Sequence, residues 1–204
     1  MTWAFAPLMP NRYGVILADP SWQYSNYSEA GYAKSPEAHY DTMPLDAIAE
    51  LPVWKLAGPN CLLVMWSTWP HLSFAMEIMR VWGFEYKTGG SWFKRSKSGG
   101  STFGTGHIVR SSCEPYIVGT IGRPRIVSKS VRNVIETDEL ETFPSAIDAL
   151  RREHSRKPDE MRAMLERLCP WARCVDLFSR QPWPGHDVWG RETNRFAAPE
   201  GSAA

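Results

Sequence analysis

The sequence lacks the features that most readily assign a chain to a class. Its four cysteines (Cys61, Cys113, Cys169, Cys174) form no CxxC pair, and no histidine stands beside them at zinc-finger spacing. The thiols therefore read as reduced and mostly buried. His107 and His154 have no neighbours that complete a ligand set, so no metal is expected. No run reaches the ~18 consecutive apolar residues of a membrane-crossing helix, and no basic-then-apolar leader opens the chain. Internal repeats are missing as well. A soluble, cytoplasmic protein without membrane contact is the expectation.

What is present fits one domain. The 204 residues are 43% hydrophobic and 22% charged, ordinary values for a globular chain. A chain of that length buries roughly 70% of its unfolded surface, enough for a core without staples. An arm over 1–12, a domain over 13–196 and a flexible tail over 197–204 are expected. Ten tryptophans exceed ordinary usage. Most belong in a core, yet such an excess also suits a site that stacks planar ligands.

A net charge of +1 conceals an asymmetry. Residues 87–132 carry nine basic groups against Glu114 alone, whereas 1–86 and 133–204 are net −4 and −3. A solvated face explains this blandly. The sharper reading is a phosphate-contacting surface, with Lys94, Arg95, Lys97, Arg110, Arg123 and Arg125 as nucleic-acid contacts and Lys129 and Arg132 beside them.

Apolar runs at Tyr13–Ala18, Cys61–Trp66 and Cys174–Phe178 read as buried strands of the parallel kind, with further strands at Lys87–Phe93 and His186–Gly190. Pro44–Leu51 reads as a helix. A second helix places Leu72, Met76 and Met79 on its apolar face and ends at Gly83. A third opens at Pro158, carries Met161, Met164, Leu165 and Leu168 on one face, and stops at Pro170. Pro115–Ile121 and Val131–Thr137 look like a hairpin around a basic turn; 23–42 and 96–106 read as loops, and 138–153 as a short helix or loop. Alternating strands and helices predict a mostly parallel α/β sheet, whose ligands sit beyond the carboxyl ends of the strands. Asp19 and Arg180 stand at two such ends.

Asp19-Pro20-Ser21-Trp22 follows the first strand directly. An Asp-Pro step alone is most simply a turn or a cap. With the indole it offers more: a carboxylate and a rigid proline carbonyl can accept the two N–H bonds of an exocyclic amine while the ring covers a planar base.

This segment resembles the DPPW signature of the MT-A70 family of adenine N6-methyltransferases. Further segments resemble family motifs in the same order: Tyr40-Asp-Thr-Met43, Gly104-Thr-Gly-His107 with Glu114 and Val118-Gly119, His154-Ser-Arg-Lys-Pro-Asp-Glu160, Asp176-Leu-Phe-Ser-Arg180 and Trp189-Gly-Arg-Glu192. The likeness runs from about Tyr13 to Glu192. It implies a Rossmann-like fold that depends on S-adenosyl-L-methionine, in the permuted β-class order because the catalytic motif precedes the cofactor strand. The compact chain is similar to bacterial or phage members.

The resemblance also implies roles. Asp19 and the Pro20 carbonyl would grip the target amine, and Trp22 would stack on the adenine. Asp19, Lys157, Phe178, Arg180, Gly190, Arg191 and Glu192 would hold the cofactor, with Lys157 meeting its carboxylate. Ser21 replaces the usual second proline, and Arg191 stands where asparagine is common. The implied partner is nucleic acid, DNA ahead of RNA. A catalytically silent binding subunit remains the alternative from another class, and monomer or homodimer stays open.

Overall fold

The computed structural model describes residues 3–22, 43–95, 100–101, 108–138, 157–191 and 193–194. The expectations for the loops at 23–42 and 96–106, for 138–153 apart from Asp138 and for the tail, together with Lys97, His107, His154 and Glu192, lie wholly or mainly outside these residues. In chain order the elements are β1 (Tyr13–Ala18), α1 (Leu45–Ala49), β2 (Ala57–Trp66), α2 (Leu72–Val81), β3 (Glu85–Arg95), β4 (Cys113–Ile121), β5 (Val134–Asp138), α3 (Asp159–Leu168), β6 (Cys174–Leu177) and β7 (His186–Trp189).

Seven strands form one sheet in the order β5-β3-β4-β2-β1-β6-β7. Pairing is parallel except on both sides of β4, so β4 alone runs against the rest. This is the mostly parallel sheet that the sequence predicts.

Both faces are covered, which explains the unbroken apolar runs. Ile16 and Ala18 of β1 join Leu63 and Met65 of β2 in a cluster under α1 and α2. Val15 and Leu17 point the other way and meet Leu62, Val64, Trp66 and the α3 residues Met161 and Leu165. Alternation along each strand thus builds two cores. Trp22, Trp66, Trp82 and Trp92 are buried, while Trp54, Trp69 and Trp171 remain exposed. All four cysteines are free thiols, three of them buried. No described helix is long and apolar enough to cross a membrane. Among the described residues, no cluster of His, Cys, Asp and Glu is arranged to hold a metal ion.

Two expectations need correction. Pro115–Ile121 and Val131–Thr137 do not form a hairpin: β4 and β5 lie on opposite edges of β3, which pairs with both. A hairpin turn spans two to five residues, whereas the connection 122–133 is long enough to carry the chain past β3. The buried stripe of α2 is Ala75, Ile78 and Met79, followed by Trp82, and Met76 is exposed. Met76 and Met79 are hydrophobic alike, so spacing alone did not say which stripe meets the sheet. Truncating Met79 to alanine is expected to cost about 2–5 kcal/mol in denaturant unfolding, against about 0.5 kcal/mol for Met76→Ala.

Candidate active site

The chain passes from β1 to β2 on one side of β1, and from β6 to β7 on the opposite side of the β1–β6 pair. Neighbouring parallel strands whose connections diverge in this way open a crevice at their carboxyl ends, the usual ligand site of an α/β sheet. Asp19 follows β1 and Phe178-Ser179-Arg180 follows β6, so both segments meet at that crevice. The cleft there is lined by Asp19, Trp66, Lys157, Phe178, Arg180 and Gln181, among others.

At the β1 end the backbone turns sharply. The Trp22 N–H donates to the Pro20 carbonyl at 2.9 Å, and the Met43 N–H donates to the Ser21 carbonyl at 3.0 Å. The indole of Trp22 swings into the α2 side of the core, stacked on His71 with centroids 5.7 Å apart. His71 is itself held through Nδ1 and Thr68 Oγ1 at 2.8 Å. Asp19 takes the other direction, towards the start of α3.

Lys157 waits there. The residue before a proline favours extended backbone, so Lys157 projects from the strand-like approach to Pro158 rather than from the helix. Its Nζ lies 3.1 Å from Asp19 Oδ1 and 3.3 Å from Glu114 Oε2. Glu114 in turn holds Lys94 Nζ at 3.0 Å through Oε1. Four charges therefore alternate in sign along one line. Trp66 lies under Lys157, with its ring centroid 5.7 Å from Nζ, and Trp92 lies 3.9 Å under Lys94. Burial would push the Glu114 carboxyl up, but the charges and hydrogen bonds of Lys157 and Lys94 outweigh it and hold the group down at about 2.

The β6 end is secured differently. Asp176, at the heart of the strand, is buried and accepts from Arg162 Nε at 2.6 Å, with His186 Nδ1 3.0 Å away. Just beyond β6, Phe178 adopts φ 60°, a conformation that costs a bulky residue about 1–3 kcal/mol and is kept mainly where the surroundings impose it. Here the Ser179 N–H donates to the Trp189 carbonyl at 3.0 Å, and the Phe178 ring meets Trp189 edge-on. Gly190 makes this approach possible, because a Cβ there would fall 2.6 Å from the Ser179 carbonyl oxygen.

The MT-A70 family model matches residues 13–192. The chain belongs to the MT-A70 family. It is 34% identical to an MT-A70-like N(6)-adenosine-methyltransferase of Arabidopsis thaliana, over 82% of this chain but 22% of that protein. The type II methyltransferase M.MunI of a Mycoplasma species is 27% identical over 92% of this chain and 81% of its own length. Human METTL4, an N(6)-adenine-specific methyltransferase, is 28% identical over 93% of this chain and 40% of its own. The chain thus spans less than a quarter of the plant relative it matches. Membership makes this a Rossmann-like methyltransferase fold.

Seen as an MT-A70 chain, the expected site residues separate into groups. Asp19, Lys157, Phe178 and Arg180 line the crevice, Pro20 is next to Asp19, and Gly190, with Arg191 after it, packs on Ser179. Trp22 is adjacent in sequence but buried against His71. The described basic residues do not form one surface. Lys94 and Arg95 end β3 on the crevice side and pair with Glu114 and Glu136. Arg110 precedes β4 on that same side. Arg123 and Arg125 follow β4 at the far end, about 27 Å away at ~3.4 Å per residue, and Arg125 covers Trp171.

Glu114 and the Arg162–Asp176–His186 clamp had no assigned place in the expected site. Glu114 did leave a signal, as the lone acidic residue in a segment of nine cations. Of the clamp, Asp176 opens a strand motif already noted, whereas Arg162 lies in an ordinary helical pattern.

Two outcomes follow. Glu114 ionises near pH 2 in the fold and 4.5 outside it, so its stabilisation is fully present above 4.5 and lost as pH falls towards 2. Glu114→Gln should therefore melt lower at neutral pH, and its melting temperature should converge on that of the wild type across this window. A gap that stays constant down to pH 2 contradicts the charge account. Gly190→Ala should lose about 1–3 kcal/mol in denaturant unfolding through overpacking against Ser179.

Proposed function

We propose that this chain transfers the methyl group of S-adenosyl-L-methionine to the exocyclic N6 amine of adenine in DNA. The observation that carries the reading is the meeting of Asp19, beyond β1, with Lys157, Phe178 and Arg180 at one switch-point crevice. The donor set there fits the cofactor that MT-A70 methyltransferases generally use. Lys157 and Arg180 supply cations for its carboxylate, Asp19 an acceptor for its amine, and Phe178 an aromatic face for its adenosine. The buried Gln181 Oε1, which has no hydrogen-bond partner among the described residues, offers a further acceptor at the same cleft. When bound, S-adenosylmethionine supplies an electrophilic methyl group.

The chain's own groups do the rest by position and charge. Asp19 and the Pro20 carbonyl accept the two N–H bonds of the adenine amine, which turns the nitrogen lone pair outward for in-line attack. The Pro20 carbonyl already accepts from Trp22, and its second lone pair serves the amine. Glu114 retains Lys157 while Asp19 engages the amine. Trp22, buried and stacked on His71, braces the Asp19–Pro20 turn from the core side rather than covering the base. No separate strong base is required, because the amine becomes acidic only once methylated. M.MunI, which this chain matches over most of both lengths, supports DNA as the substrate.

The test is transfer of labelled methyl from S-adenosylmethionine to duplex DNA, single-stranded DNA and RNA. Label should appear as N6-methyladenine in DNA. Asp19→Ala should lower the rate by about 10²–10³-fold. Lys157→Ala should raise the KM for the cofactor about tenfold, through loss of a charge-assisted contact. Label on RNA alone would replace DNA as the substrate, and no label on any substrate would favour a silent subunit or an enzyme awaiting a partner.

A further inference from the structure

We propose that Ile108 and Val109 form an apolar wedge that enters a DNA duplex beside the target base and occupies the gap left when adenine turns out of the stack. The proposal rests on the DNA reading above. Ile108 is 98% exposed and Val109 78%, the two most exposed large apolar side chains among the described residues. Water penalises such surface, and a consecutive exposed pair is suited to burial against a partner.

Topology puts the pair at the reaction centre's rim. Because β4 runs against the other strands, its first residues lie at the carboxyl ends of β1 and β3. Glu114, which contacts Lys157, is the second residue of β4. Ile108 precedes it by six positions, within about 22 Å even for a fully extended chain. The exposed Arg110 follows directly, and the half-exposed Trp69 is tied to the same segment through Nε1 and the Cys113 carbonyl at 3.0 Å.

The chemistry of these neighbours selects the partner. An amine inside a duplex cannot reach Asp19 until its base leaves the stack, and apolar side chains that slip between bases stabilise that state. Arg110 next to the pair suits a phosphate backbone alongside. A second copy of this chain fits less well, because a symmetric contact through this pair would set Arg110 close to its own copy.

The experiment compares methyl transfer to a plasmid duplex with transfer to the same plasmid after heat denaturation. Both positions are exposed, so the Ile108→Ser, Val109→Ser variant should melt like the wild type. Its rate should fall about tenfold or more on duplex DNA and stay within about twofold on denatured DNA, since only the duplex must be opened. The Ile108→Leu, Val109→Leu variant, which keeps the apolar bulk, should retain the duplex rate. Equal loss on both substrates, or no loss on duplex, overturns the wedge and leaves the DNA reading standing. A wild-type protein that labels neither form of DNA overturns both.

Discussion

The ammonium group of Lys157 joins two carboxylates that come from distant parts of the chain, Asp19 after β1 and Glu114 in β4. The cation between them offsets the repulsion of the two like charges. Lys94 closes the far end of the line, and both cations rest over tryptophans that belong to the core beneath α3. The charged line therefore inherits its position from apolar packing. Trp66 carries the connection most directly, because its ring lies under Lys157 while it packs edge-on against Trp92 and Tyr116.

The second half of the crevice depends on a buried ion pair rather than a half-exposed line. Arg162 and Asp176 are both nearly inaccessible to water, and His186 takes the remaining carboxylate oxygen. A surface pair such as Lys87–Glu85 contributes about 0–1 kcal/mol. Breaking a buried pair by removing one partner costs about 3–5 kcal/mol, because the other charge is left without compensation. The clamp pins α3 to β6 at one end of α3, while Lys157 immediately precedes that helix. The same helix thus ties β6 to the turn that carries Asp19, and the strained backbone at Phe178 follows directly on β6.

Much of this was legible in the residues. Continuous apolar runs at Tyr13–Ala18 and Cys61–Trp66 announced strands buried on both faces, and Pro158 and Pro170 bracketed α3. The apolar runs also mark Asp19 and Arg180 as strand-end residues. The hairpin expectation failed for a definite reason: local sequence describes two strands and a turn, but not whether a third strand lies between them. The described cations of the basic segment are divided for a similar reason. Charge is read along the chain, whereas β4 carries Arg110 and Arg123 to opposite ends of the sheet.

The sequence by itself determined the class of the sheet, the motifs at its carboxyl ends and the family to which they belong, because strand burial and short motifs are encoded by neighbouring residues. Only the tertiary structure decided that Glu114 bridges two lysines, that Trp22 stacks on His71 and that Arg162 neutralises Asp176. Each of those contacts joins residues brought together by strand order and helix packing. An ion pair or a ring stack depends on distance in space, and that distance is set only once the sheet has closed its order.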